Sequence, residues 1–334
     1  MSRAAQQQRA QRFRELHVRG SPVVLYNIWD AGSAKVVADA GSQALATSSN
    51  ALSASHGLPD GQILPLELLL DAVRRIVDVI GSLPLSVDFE GAYATAPHAV
   101  GENVARVIEA GATGINLEDQ VVREGSSWTN GSGMYSVAEQ VERIRAARAA
   151  ADAVGVSIVI NARTDLFLKE PDLEKHELLV AEALQRAAAY ADAGADCLFI
   201  PALQNRMDIV ARVCAEAPLP VNAMHLGRPA GLVALAAAGV ARLSHGSLPH
   251  GLAHERLAEQ ARSALAALHP QSKAVADAGT LSSPLGAIEQ LFRGMRLGCV
   301  ETVRAVLAAD ARLVVLGNEG KIQAQSVEPW VKAI

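Results

Sequence analysis

Three acidic side chains stand where short apolar runs end, and their spacing raises the first chemical question. Asp88 and Glu90, in Val87-Asp88-Phe89-Glu90-Gly91, are two apart and share one face of an extended chain. Glu118 ends the next apolar run, Asn116-Leu117-Glu118-Asp119-Gln120. Carboxylates gathered on one rim repel one another unless a cation lies among them. A hard divalent ion such as Mg²⁺ suits oxygen ligands, keeps several waters and leaves room for a substrate carboxylate or carbonyl. The other reading is that Asp88, Glu90 and Glu118 are solvated loop acids. Arg163, in Asn161-Ala162-Arg163-Thr164-Asp165, ends the following run. Its guanidinium either grips a substrate carboxylate or pairs with Glu118 or Asp165, and the two roles are compatible.

Smaller polar residues occupy comparable places. Ser48, Ser49 and Asn50 follow the second run, where backbone N–H groups can turn inward to hold an anion. His225 and His245 follow the seventh and eighth runs; each either donates to substrate or is a structural histidine bonded to backbone. Asn222 either lines a pocket or belongs to an internal polar network. Tyr93 braces the acidic loop or touches substrate, and Trp29 reads as a packing wall.

Eight apolar runs must position these groups: Val23–Trp29, Ala44–Ser49, Leu85–Phe89, Gly114–Glu118, Ser157–Ala162, Cys197–Pro201, Pro220–Ala223 and Arg242–Ser244. Each is short and apolar, as strands buried on both faces of a parallel sheet are. Amphipathic helical stretches separate them. Leu66–Ile80 sets Leu69, Val73, Ile76 and Ile80 on one stripe. Ala-Gly pairs at 40–41, 110–111, 193–194 and 238–239 punctuate helix ends before the next strand. Eight such units predict an α/β fold, a (β/α)8 TIM-type barrel over residues 21–272 preceded by an N-terminal helix or arm at 1–20. A doubly wound open sheet is the alternative, but no G-x-G-x-x-G follows the first strand. A linker at 273–285 leads to a short α+β appendage at 286–334. That appendage reads as helices Gly286–Leu297 and Cys299–Ala308, a strand Ala311–Leu316 and a turn at 317–320.

Bulk properties exclude other classes. With 50% hydrophobic residues among 334, the chain has ample material for a core. A net charge of −5 without a basic run argues against nucleic acid. Cys197, Cys214 and Cys299 form no CxxC pair and suit a reducing, cytoplasmic setting. No apolar run reaches the ~18 residues of a membrane span.

In order, five of these stretches resemble the isocitrate lyase / phosphoenolpyruvate mutase superfamily, from about Leu25 to Gly246. Tyr26-Asn27-Ile28-Trp29-Asp30-Ala31 is similar to its opening strand, and Gly57-Leu58-Pro59-Asp60 to its mobile loop. Asp88-Phe89-Glu90-Gly91-Ala92-Tyr93 resembles its D-x-D-x-G-Y metal motif, with Glu90 replacing the second aspartate. Asn116-Leu117-Glu118-Asp119-Gln120 and Ala162-Arg163-Thr164-Asp165 match its I-E-D-Q/K and A-R-T-D motifs. The resemblance implies Mg²⁺, or Mn²⁺ in its place, held by Asp88, Glu90 and Glu118 partly through water. It implies a small 2-oxo acid or dicarboxylate substrate reacting at C3 through a pyruvate-like enolate. With the readings above, Tyr26, Ser48, Ser49, Asn50, Asp88, Arg163, Asn222 and His225 are the candidate substrate contacts, and Asp60, Glu118, Glu124 and Arg163 the candidate catalytic residues. It also implies a homo-oligomer, a tetramer or dimer exchanging the last barrel helix, Gly251–Leu268. The C-terminal segment resembles the opening of a nuclear-transport-factor-2-like cone, too short to close it; either the chain ends early or the tail packs on a partner.

One departure selects among reactions. The loop after the fourth strand, Gln120-Val121-Val122-Arg123-Glu124-Gly125-Ser126-Ser127-Trp128, lacks the cysteine of the family's lyases and the lysine of its mutases. Decarboxylation needs chiefly the metal and an oxyanion grip, with Glu124, Arg123 or Tyr135 available for a proton. A C–C lyase or decarboxylase therefore ranks first, phosphorus–carbon chemistry second, and a non-catalytic metal-binding barrel is the rival from another class.

Overall fold

Short apolar runs alternating with helices leave each strand buried on both sides, and the computed structural model arranges them accordingly. It describes residues 2–121, 133–203, 206–225, 227, 229–268, 312–316 and 322–326. Eight parallel strands form one sheet: β1 (Val23–Leu25), β2 (Leu45–Ala46), β3 (Leu85–Asp88), β4 (Gly114–Glu118), β5 (Val159–Arg163), β6 (Cys197–Phe199), β7 (Val221–Met224) and β8 (Arg242–Ser244). Their spatial order is β1-β8-β7-β6-β5-β4-β3-β2. The two edges meet at one parallel bridge between Ile28 and Thr47. There Ile28 N–H donates to the Ala46 carbonyl at 2.8 Å, and Ser48 N–H to the Ile28 carbonyl at 3.1 Å. The sheet thus curls into the expected barrel. The first two strands are shorter than their apolar runs because the residues after Leu25 and Ala46 already turn into rim loops.

Helices fill the connections: α1 (Arg3–Glu15), α2 (Ala31–Asp39), α3 (Ser49–Ser55), α4 (Leu66–Val79), α5 (Pro97–Glu109), α6 (Val137–Val154), α7 (His176–Asp192), α8 (Met207–Glu216), α9 (Pro229–Ala237) and α10 (Leu248–Leu268). Local chemistry starts and stops them. Asp30 with Ser33, and Ser136 with Glu139, make reciprocal capping boxes on α2 and α6. The glycines of all four Ala-Gly pairs adopt positive φ. At Gly111, φ is +110° and a Cβ would lie 2.9 Å from Val77 Cγ2, so only glycine fits. The α4 stripe is buried as its period predicts, from Leu69 through Val73 and Ile76.

The barrel interior has three storeys. At the bottom, Phe13 of α1 packs with Val23, Leu25, Ala44, Ala46 and Val159. The N-terminal segment is therefore no detached arm: its helix carries a plug, and Gly114 makes room for it, since a Cβ there would stand 2.8 Å from Phe13 Cε1. The middle storey is polar, with Ser86, Asn116, Asn161, Asn222 and Arg242 all buried. Two residues further along the strands come Asp88, Glu118 and Arg163, at the C-terminal rim. A larger apolar core lies between sheet and helices.

By its internal contacts the chain divides into Met1–Ala253 and His254–Ile334, a boundary inside α10. In the second unit, β9 (Arg312–Leu316) matches the expected strand, and β10 (Ile322–Ser326) pairs with it antiparallel. The expected helices at 286–297 and 299–308 lie outside the described residues. Among the described residues no helix is long and apolar enough to cross a membrane.

Candidate active site

The loops after the strands converge on a cavity of about 230 Å³ at the C-terminal rim of the barrel. Asp60, Asp88, Glu90, Glu118 and Arg163 all line it, as do Ser48, Ser49 and Asn50. The acids expected at the strand ends thus share the lining of one cavity. Asp88 and Glu118 reach it from the ends of β3 and β4. Glu90 reaches it through a contorted loop, with positive φ at Glu90, Ala92 and Tyr93.

That contortion is held from two sides. Gln62 donates its N–H to Glu90 Oε2 at 2.8 Å, and its side-chain oxygen accepts the Tyr93 N–H at 2.6 Å. From α6, fully buried Arg143 donates to the carbonyls of Gly91 at 2.7 Å, Ala94 at 2.7 Å and Thr95 at 2.8 Å. Nothing in the loop's own sequence announces either partner, because both are distant in the chain.

Each acid has its own restraint. Asp88 accepts the Ser49 N–H at 3.0 Å and the Asn116 amide at 3.2 Å. Glu118 pairs with Arg163 at 3.0 Å. Arg163 also donates to both oxygens of Asp165, at 2.6 and 2.9 Å. Both ion pairs foreseen for Arg163 are therefore made, and only its remaining N–H donors are left for a substrate. Burial pushes the Glu118 carboxyl up to about 8 even though Arg163 pulls it down. Glu90 is pushed well above the usual carboxylate range by burial, then by the charges of Asp60, Glu118 and Asp88. Burial and the Asp88 charge raise Asp60, whose Oδ1 has no hydrogen-bond partner.

This donor set suits a hard divalent cation: crowded, oxygen-only and short of positive charge. Among the described residues no three carboxylate, imidazole or thiol groups close on one point as a complete ligand set. Carboxylate oxygens such as those of Asp88, Glu90 and Glu118 are donors of the kind used by ions that keep several waters.

Several expected contacts are corrected. Tyr26 is 41% exposed on the outer face, because β1 turns Val23, Leu25 and Asn27 inward and Val24 and Tyr26 outward. Asn27, one residue on, lines the cavity instead. Asn222 lies one storey too low, bonded to Ser244 Oγ at 3.2 Å, and Met224 takes its place in the wall. His225 is buried against His245, ring centroids 5.3 Å apart, outside the cavity lining. His245 Nδ1 lies 3.0 Å from the Leu25 carbonyl, which makes it structural. The inward N–H groups expected at Ser48 and Ser49 are already engaged, by Ile28 and Asp88. Glu124 and Arg123 lie outside the described residues. Tyr135 stacks under Arg143, 4.2 Å from guanidinium carbon to ring centroid.

Residues that sequence reasoning passed over complete the walls: Asn27, Asn116 and Ser244 as polar groups, Leu168, Phe199 and Met224 as apolar ones. Strand parity, counted from Asp88 and Glu118, was the signal that could have found most of them. Asp119, fully buried, instead ties the site's base together. It accepts the Asp165 N–H at 3.0 Å, Arg186 at 3.1 Å and the Tyr190 hydroxyl at 2.8 Å.

Known proteins resemble this chain in sequence and in fold. A protein from Burkholderia cenocepacia J2315, described as a phosphonomutase, is 43% identical. It superposes with a TM-score of 0.72 over 78% of this chain and 99% of its own. An uncharacterised protein of Mycobacterium tuberculosis H37Rv is 33% identical over 256 residues, 75% of this chain and 87% of that one. The 2-methylisocitrate lyase of Salmonella typhimurium is 34% identical over 214 residues, 64% of this chain and 68% of that one. The family model for phosphoenolpyruvate phosphomutase matches residues 13–265, from the Phe13 plug through all eight barrel strands. The chain belongs to the phosphoenolpyruvate mutase / isocitrate lyase superfamily of lyases and mutases.

Proposed function

We propose that the chain is a Mg²⁺-dependent carbon–carbon lyase or decarboxylase acting on a small 2-oxo acid or substituted malate through a pyruvate-like enolate. The observation that supports it is the meeting of Asp60, Asp88, Glu90 and Glu118 on one small cavity with Arg163 as the cation among its described lining residues. Asp88, Glu90 and Glu118 would hold the ion with the help of waters, and Mn²⁺ suits the same oxygens. Bound there, the ion supplies Lewis-acid stabilisation to developing negative charge on substrate oxygens.

The chain's own groups do the rest. Arg163, fixed by Glu118 and Asp165, offers its remaining N–H donors to a substrate carboxylate. Asn27, Ser244 and Asn50 are polar contacts for the same small anion, and Leu168, Phe199 and Met224 keep water from its carbon skeleton. Asp60, with Oδ1 unpartnered and its carboxyl raised, holds the proton exchanged at C3. Glu124, on the loop after β4, is the second candidate for that proton.

The same reading extends to assembly. Val24, Tyr26, Val36 and Val37 line a groove of about 510 Å³ on the outer face, and Val36 is 69% exposed. A helix from a second copy would cover it, as in a tetramer or dimer exchanging Gly251–Leu268. The buried free thiols of Cys197 and Cys214 accord with a cytoplasmic location. The antiparallel pairing of β9 with β10 supports reading residues 286–334 as an α+β appendage of the nuclear-transport-factor-2-like kind.

The test is pyruvate release from a panel of 2-oxo diacids, substituted malates and phosphonopyruvate, with Mg²⁺ and with EDTA. Turnover of a diacid or malate only with Mg²⁺, lost in Asp88→Ala and Glu118→Ala, is expected. Turnover of phosphonopyruvate alone would assign phosphorus–carbon chemistry, and no turnover with any member would favour the non-catalytic barrel.

A further inference from the structure

Inward residues of barrels like this one are usually bulky and branched. Here the storey beneath the acids holds Arg242, 1% exposed, with no carboxylate partner among the described ion pairs. Its Nε and Nη1 have no hydrogen-bond partner. Nη2 donates to Ser86 Oγ at 3.1 Å and to Asn116 Oδ1 at 3.0 Å. Its Cζ lies 5.5 Å from the centroid of the Phe13 ring, yet a buried guanidinium with two nitrogens unpaired is costly for folding, which directs attention to what it orients.

Asn116 links the two storeys. Its Oδ1 accepts from Arg242 and, at 2.8 Å, from Asn161 Nδ2, while its own Nδ2 donates upward to Asp88 Oδ1 at 3.2 Å. A guanidinium can only donate, so an amide above it must turn its oxygen down and its N–H₂ up. With the amide reversed, Asn116 would present an oxygen to the Asp88 carboxylate, two acceptors face to face. The other Asp88 oxygen is held by the Ser49 N–H, so the amide decides whether both ends of this carboxylate are fixed.

We propose that Arg242 is a positioning residue, which from the middle storey locks the Asn116 amide in the sense that holds Asp88 in the active cavity. The inference deepens the proposed function, since it gives Asp88 its support; its structural arm stands without that reading. Arg242 touches no substrate and acts through Asn116 alone.

The experiment combines structure and kinetics on the full chain. Arg242→Met removes the donor at similar length, Arg242→Lys retains one, and Ser86→Ala removes Arg242's other acceptor without touching Asn116. The Asn116 side-chain amide resonances, assigned by their loss in Asn116→Asp, are followed together with crystal structures of the variants. Arg242→Met is expected to shift those resonances and release or reverse the amide. It should lower kcat by about 10–100-fold, the usual loss for such outer partners, with Lys restoring part and Ser86→Ala near wild type. Unchanged amide signals and an unmoved Asp88 in folded Arg242→Met would overturn the proposal. If Arg242→Met does not fold, Asn116→Asp decides: it still accepts from Arg242 but cannot donate to Asp88. A loss of kcat of similar size supports the inference, and wild-type kcat refutes it. A wild-type chain without turnover or Mn²⁺ binding would defeat the proposed function while the amide signals still decide this one.

Discussion

Gln62 donates its backbone N–H to Glu90 Oε2 at 2.8 Å, and both residues hold left-handed backbone angles, φ +60° and +50°. Two non-glycine residues in that region, facing each other across a single hydrogen bond, store strain where two loops meet over the acids. The surrounding bonds from Gln62 Oε1 and Arg143 hold it in place.

The clamp predicts an unusual order of stability. Gln62→Ala keeps the strained angle and loses the acceptor for the Tyr93 N–H, costing about 1 kcal/mol. Gln62→Gly loses the same acceptor but relaxes the backbone, so it should be more stable than Gln62→Ala by about 1 kcal/mol. Urea denaturation of the two variants measures the difference, and the reverse order would show that the backbone carries no strain.

Arg163 neutralises two buried carboxylates at once. Arg163→Met leaves Glu118 and Asp165 without their cation, and breaking such buried pairs costs about 3–5 kcal/mol. Thermal unfolding should show this most clearly above pH 8, where Glu118 is charged, and less at lower pH, where Glu118 already holds its proton. Turnover should fall by at least about 100-fold. A variant with wild-type turnover would remove Arg163 from the site.

The raised carboxyls give stability a definite pH dependence. Glu118, near 8, and Glu90, also raised, bind protons in the folded chain that the unfolded chain has already released. Stability without metal should therefore be favoured below the ordinary carboxylate range and fall as pH rises from about 4.5 towards 8. Mg²⁺, which requires the charged forms, should restore more stability at pH 8 than at pH 5. Glu90→Gln should raise the metal-free melting temperature at pH 8, change it little at pH 5, and weaken the Mg²⁺ effect. Differential scanning calorimetry across pH, with EDTA or Mg²⁺, reads all three.

The Phe13 plug predicts a lesion in stability alone. Gly114→Ala places a methyl 2.8 Å from the Phe13 ring and 3.2 Å from the Val159 carbonyl. Overpacking of this kind costs about 1–3 kcal/mol. Turnover per folded molecule should stay unchanged, since the plug lies two storeys below the cavity. A large loss of kcat at full folding would contradict that separation.

Strand spacing, Ala-Gly helix ends and the acids at the ends of β3 and β4 were legible in the chain because each depends on residues near one another in sequence. Apolar period and capping chemistry act locally, so they disclosed the barrel and its acidic rim before any contact was known. Tertiary structure decided which face each rim residue shows. Parity turned Tyr26 outward and Asn27 inward, and depth put Asn222 below the cavity rather than beside it. It also supplied the distant partners: Gln62 and Arg143 for the Glu90 loop, Arg242 and Asn161 for Asn116. Those partners come from other staves of the barrel, and only ring closure brings them within hydrogen-bond reach, which is why no local pattern could announce them.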